Sequence, residues 1–129
     1  MQSYSVDKDD YDIRALFNFS RNKKGRNEVH ILVINFNADS SPEEFDELVQ
    51  QDAPIFAETP GLTHKHFIFN HETKTYGGIY MFESKAAMEA YMAGDIYKSV
   101  IENPEWSNHL VRHFEVHEEA SNIQQQLKQ

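Results

Sequence analysis

Apolar and polar positions change period several times along this chain. Over residues 27–36 apolar side chains occupy both alternating sets: Val29, Ile31 and Val33 on one, Leu32, Ile34 and Phe36 on the other, with His30 on the second set. Such a run predicts a strand covered on both faces. From Ser40-Ser41-Pro42-Glu43-Glu44 onward the period lengthens. A hydroxyl cap, a first-turn proline and acids at the positive end of the dipole start a helix there. Phe45, Leu48, Val49, Ile55 and Phe56 continue it at helical spacing; Pro54 is expected to kink or divide it, and Thr59-Pro60-Gly61 to end it. Residues 62–69 and 75–82 read as two strands joined by a polar turn, a hairpin. Ser84 caps a second helix carrying Ala87, Met88, Tyr91 and Met92. Gly94 breaks that helix, and Ile96, Tyr97, Val100 and Ile101 predict one or two further turns before Pro104. A fourth strand is expected from Asn108 to about His117, and the Gln-rich end after Ser121 reads as a polar tail or the end of a short helix.

The order β-α-β-β-α-β is the split βαβ arrangement of an α+β, ferredoxin-like domain with an antiparallel sheet. Residues 1–26 form a polar leader or arm, residues 27–118 the domain and residues 119–129 a polar tail. In this topology both helices cover one sheet face, so the other should be polar. It is not. The first strand is apolar both ways, and the third sets Tyr76, Tyr80 and Phe82 against Ile79 and Met81. At roughly 25 cal/mol per Å², several hundred Å² of bare sheet forfeits several kcal/mol and invites aggregation. The expected cover is a second copy of the chain, sheet against sheet, in a two-fold homodimer. The leader, with Leu16-Phe17-Asn18-Phe19 as an edge strand or arm, is the competing cover.

The 129 residues suit one domain, and 40% hydrophobic with 12% aromatic residues is too rich for a disordered chain. No apolar run approaches the ~18 residues of a membrane span. The polar first ten residues resemble neither a secretory signal nor a transit peptide, so a cytoplasmic address is expected. A net charge of −9 disfavours nucleic acid; Arg21, Lys23, Lys24 and Arg26 are a local exception in the leader. The absence of cysteine removes disulfides, thiolate metal sites and thiol catalysis.

Chemistry therefore falls to other side chains. Seven histidines are many for this length. His64 and His66, two apart on the second strand, project to one face about 7 Å apart. They could share a metal with His109 or His113, but no HExxH or carboxylate at ligand spacing supports one, and no metal is expected. An imidazole is a natural proton acceptor near neutral pH, which makes His64 or His66 a catalytic candidate. Gly77 and Gly78 interrupt the third strand, either for close approach of another element or to leave space for a flat ligand. Lys65 and Arg112, charges inside strand patterns, are expected as edge or interface ion pairs. Trp106 should close a core rim, Asn35 ends the first strand, and Met88, Tyr91 and Met92 form the sheet-facing stripe of the second helix. Register leaves one choice open: a slip of one residue exchanges His64 and His66 for Lys65 and Phe67 on the pocket side.

Thr59-Pro60-Gly61-Leu62, Lys65, the run from Thr75 through Gly77-Gly78 to Ser84, and Ala86-Ala87 with Ala90-Tyr91 resemble the YdhR-type mono-oxygenase family of the dimeric α/β-barrel superfamily. The resemblance spans roughly residues 27–118. It implies a homodimer whose sheets form a barrel, with a hydrophobic pocket between sheet and helices. Related enzymes oxidise polycyclic phenols with dioxygen and without metal or flavin, so no cofactor is expected. Haem-degrading relatives need a histidine on the second helix, and residues 85–94 contain none. The resemblance places possible counterparts of family residues at Asn35 and Trp106. The expected function is cofactor-independent mono-oxygenation of a small phenol- or quinol-like substrate. Asn35, His64, His66 and Tyr80 are the catalytic candidates, with Phe67, Met88, Tyr91 and Trp106 against the substrate. The alternative is a non-catalytic small-molecule-binding or stress-linked homodimer.

Overall fold

The computed structural model describes residues 28–128, so the leader and its Leu16–Phe19 segment lie outside it. Strands β1 (His30–Ala38), β2 (Leu62–Asn70), β3 (Thr75–Phe82) and β4 (Trp106–Glu115) form one antiparallel sheet in the order β2-β3-β1-β4. Helix α1 (Pro42–Ala57) connects β1 to β2, and α2 (Lys85–Met92) with α3 (Asp95–Ile101) connects β3 to β4. This is the α+β ferredoxin-like fold.

Burial along β1 follows the pleat. His30, Leu32, Ile34, Phe36 and Ala38 are buried, and the residues between them are half-buried. The buried set joins Tyr76, Tyr80 and Phe82 of β3 to receive Phe45 and Phe56 of α1 and Met88 and Tyr91 of α2. Register places Ile31, Val33 and Asn35, Ile79 and Met81, Leu110 and Phe114, and the edge pair His64 and His66 on the opposite face. Among the described residues nothing covers that face, and Phe114 is 52% and Leu110 41% exposed.

Local chemistry accounts for the element ends. The Ser41 hydroxyl accepts from the Glu44 amide at 3.1 Å, while the Ser41 amide donates to the Glu44 carboxylate at 3.0 Å, a complete capping box. Those bonds hold the Glu44 carboxyl below its ordinary pKa. Gly61 adopts φ +76° in the turn into β2, a conformation costly for residues with a Cβ.

Two expectations are corrected. Pro54 does not divide α1, which runs unbroken for 16 residues; it sits in the last turn, where its missing N–H forfeits one bond. Trp106 lies within β4, paired with Ala38, because a bulge opposite Asn35–Asn37 absorbs one residue, with Asn108 in the left-handed region at φ +54°. Of the two readings of the Gln-rich end, the structure has the helical one, the 11-residue α4 (Glu118–Lys128). No helix among the described residues is long and apolar enough to cross a membrane.

Candidate functional site

The edge strand β2 faces α1 across a cavity of about 260 Å³, lined by Phe56 of α1 and by Leu62, Thr63, His64, Lys65 and Phe67 of β2. Pairing sets Lys65 opposite Tyr80 and Phe67 opposite Gly78, so these side chains point toward the helices. The Lys65 ammonium nitrogen lies 3.3 Å from the centre of the Phe56 ring, 4.1 Å from Phe67 and 4.5 Å from Tyr80. It makes no ion pair: among the described residues the one salt bridge is Lys74–Asp39, at 3.5 Å. Burial lowers the Lys65 amine to about 7, against a partial upward pull from Asp52. Burial likewise raises the half-buried Asp52 carboxyl, against the pull of Lys65. Each group is thus biased toward its neutral form.

Both glycines of β3 answer to close packing. A Cβ on Gly77 would overlap the Ile34 carbonyl and lie 2.8 Å from the Asn35 Cα, so this glycine lets β1 and β3 approach. On Gly78 it would lie 2.8 Å from the Lys65 Cε and 3.0 Å from the Tyr80 ring. Gly78 makes room for the lysine stem. The expectation that Lys65 forms an edge ion pair is therefore corrected: it is an amine enclosed by aromatic rings. Arg112, on the open face opposite Val33, has no carboxylate partner among the described residues.

Tyr80 and Tyr91 stand behind this amine with ring centroids 5.3 Å apart. Burial above all pushes both phenols above their ordinary pKa. They remain protonated at physiological pH and can donate hydrogen bonds, not remove protons. Tyr91 also walls a second cavity of about 420 Å³, between the end of α1 and the α2–α3 junction.

The sheet separates the remaining candidates. Tyr80, Phe67, Met88 and Tyr91 are on the helix side, Met88 sealed in the core. His66 and Asn35 lie on the opposite face from Tyr80; His64 belongs to that face by register, yet it lines the cavity together with Lys65 and Phe67. The His64 and His66 rings converge, with Nε2 and Nδ1 3.4 Å apart. No group of three or more potential metal ligands occurs among the described residues. Trp106 stacks on Phe36 with centroids 4.2 Å apart, on the strand at the far edge from β2. A second imidazole pair, not foreseen, joins buried His30 Nε2 to His113 Nδ1 at 3.0 Å. Burial, then His113, lowers the His30 pKa.

Lys65 and Phe56 are the site residues that sequence reasoning missed. The available signal was the alternation itself: Lys65 shares its set with Phe67 and Phe69, and Gly78 faces that set across the hairpin.

The same fold recurs in solved structures. SnoaB from Streptomyces nogalater, a cofactor-independent oxygenase, aligns at 17% identity over 70% of this chain and 94% of its own, with a TM-score of 0.56. NE2512 from Nitrosomonas europaea, of unknown function, aligns at 18% over 72% and 93%, also at 0.56. The Arabidopsis thaliana protein At3g17210 aligns at 23% over 69% and 87%, at 0.51. At such identities the likeness is one of fold. No curated protein matches the sequence. Residues 31–127, however, match the family described as "Putative mono-oxygenase ydhR". The chain belongs to that family.

Proposed function

We propose that this protein is a cofactor-independent mono-oxygenase that oxidises a small phenol- or quinol-like substrate with dioxygen. The observation that carries this reading is the aromatic-walled cavity beneath β2, in a chain of a mono-oxygenase family. Its volume exceeds the roughly 150 Å³ in which an apolar cavity takes up benzene. Phe56 and Phe67 offer ring faces to a flat substrate, while Lys65 and His64 supply polar atoms beside it. The fold shared with SnoaB supports the reading.

The reading includes a homodimer closed through the open sheet faces, supported by the exposed Met81, Leu110 and Phe114. Asn35, His64 and His66 would then lie in the intersubunit layer. Sedimentation of the full chain at micromolar concentration should give a dimer, and a well-behaved monomer would refute this part. Oxygen uptake with a panel of hydroquinones and naphthols tests the activity. Protein-dependent consumption that persists in the presence of a metal chelator is the expected result. Stoichiometric binding without turnover would favour a non-catalytic ligand-binding dimer instead.

A further inference from the structure

We propose that Lys65 is the proton acceptor and counter-ion for an aromatic hydroxyl bound in the cavity between α1 and β2. This rests on the mono-oxygenase reading for its substrate class, but it concerns a proton, and binding alone can test it.

The argument begins with what the fold gives up to keep an amine here. Lys65 is among the most enclosed charges of the described chain, held against Phe56, Phe67 and Tyr80 with no carboxylate in ion-pair range. The sequence has 21 acidic residues to its 12 basic ones, so partners are abundant. None is placed on this nitrogen. A buried ammonium without a paired anion is unfavourable, whereas a neutral amine or an ammonium beside a ligand's anion is not. Gly78, whose missing Cβ gives the lysine stem its place, shows the position to be accommodated by the neighbouring strand. The cavity at the tip of that stem is walled by rings that suit an arene.

The buried acids that face the amine do not compete with it as a base. From α1 comes Asp52, biased by burial toward its protonated form. From β3 comes Tyr80, and behind it from α2 Tyr91, both held protonated. Tyr97 of α3 meets the ring of Tyr91, and His64 of β2 lines the cavity beside Lys65. Lys65, lowered to about 7 by burial, offers a lone pair at physiological pH. The substrate O–H bond breaks, a fourth bond to Nζ forms, and the electron pair stays on oxygen. An uncharged pair becomes an ammonium–phenolate pair, with no oxidant required at this step. The anion so formed is electron-rich at the ring carbons. The proton role thereby passes from His66, which projects from the other face, and from His64, which shares the cavity wall but not the enclosure by Phe56, Phe67 and Tyr80, to Lys65.

The test uses 4-nitrophenol, whose phenol and phenolate absorb at different wavelengths, and 4-nitroanisole, which has no proton to give. The full-length protein should bind 4-nitrophenol as phenolate, most tightly near neutral pH, and raise the probe's ionisation constant at least tenfold. Lys65→Met should bind 4-nitroanisole within a factor of about three of wild type, yet hold the phenolate at least tenfold more weakly. Lys65→Arg should restore phenolate binding without the optimum near neutral pH, because guanidinium keeps its proton. Failure of the wild type to bind the phenolate, or equal phenolate binding by Lys65→Met, overturns the proposal. Phenolate binding without any oxygen uptake would refute the mono-oxygenase reading and leave the lysine site standing.

Discussion

Replacing Lys65 by methionine should stabilise the protein at neutral and mildly acidic pH. In the unfolded chain the amine has an ordinary pKa of 10.5, and in the fold burial lowers it to about 7. Below about 7 both states carry the proton, so the native state bears the whole cost of an enclosed ammonium. At about 1.4 kcal/mol per pH unit, that interval sets an upper bound of about 5 kcal/mol. Water at the cavity mouth and the faces of Phe56 and Phe67 offset part of it, which leaves an expected gain of about 2–4 kcal/mol for the variant. Methionine retains most of the stem's apolar contacts and fills an irregular space readily. Between about 7 and 10.5 the unfolded chain binds a proton that the native chain does not, so wild-type stability rises with pH across this window. The variant lacks that rise. Its advantage should therefore be largest near about pH 6 and mostly gone by about pH 9.5. Urea unfolding followed by the fluorescence of Trp106, the single tryptophan, measures the difference at fixed protein concentration. The lowered pKa of His30 acts on both proteins alike and cancels. A variant less stable than wild type near pH 6, or a difference flat across the window, would refute the reasoning.

Gly77→Ala should lower stability by about 3 kcal/mol or more, because the added methyl meets the backbone of β1, which has no rotamer by which to yield. A urea midpoint unchanged from wild type would show that the two strands can separate there. Ser41→Ala removes the acceptor for the Glu44 amide and should cost about 1 kcal/mol, read as a lower thermal midpoint. His30 has a native pKa below its ordinary value, so its contribution is present above about 6.5 and is lost as pH falls through the lower native value. His30→Leu should therefore lose less stability than wild type between about pH 7 and pH 5, measured by urea titration; parallel profiles would count against this.

The elements themselves were legible in the sequence because their signals are local. A hydroxyl cap with a first-turn proline, a two-residue alternation and a polar hairpin turn act within a few residues, and α1, β2 and β3 appear where those signals lie. The excess of apolar residues on both faces of β1 was likewise readable before any fold was known, since the pleat alone assigns alternate residues to opposite sides. The site was not readable in this way. A period of two says that His64 and His66 share one face and that Lys65 and Phe67 share the other; it does not say which face meets α1. That depends on pairing with β3 across the hairpin, and on a bulge between Leu62 and His64 that shifts the register. Likewise, Lys65 in a string of letters is a charge expected to seek one of many carboxylates. Only the packed sheet surrounds it with Phe56 from α1 and Tyr80 from β3 and removes much of the water that would keep it charged. Local chain chemistry determined the helices and strands, whereas the burial of one amine, and with it the candidate chemistry, was decided by contacts between segments far apart in sequence.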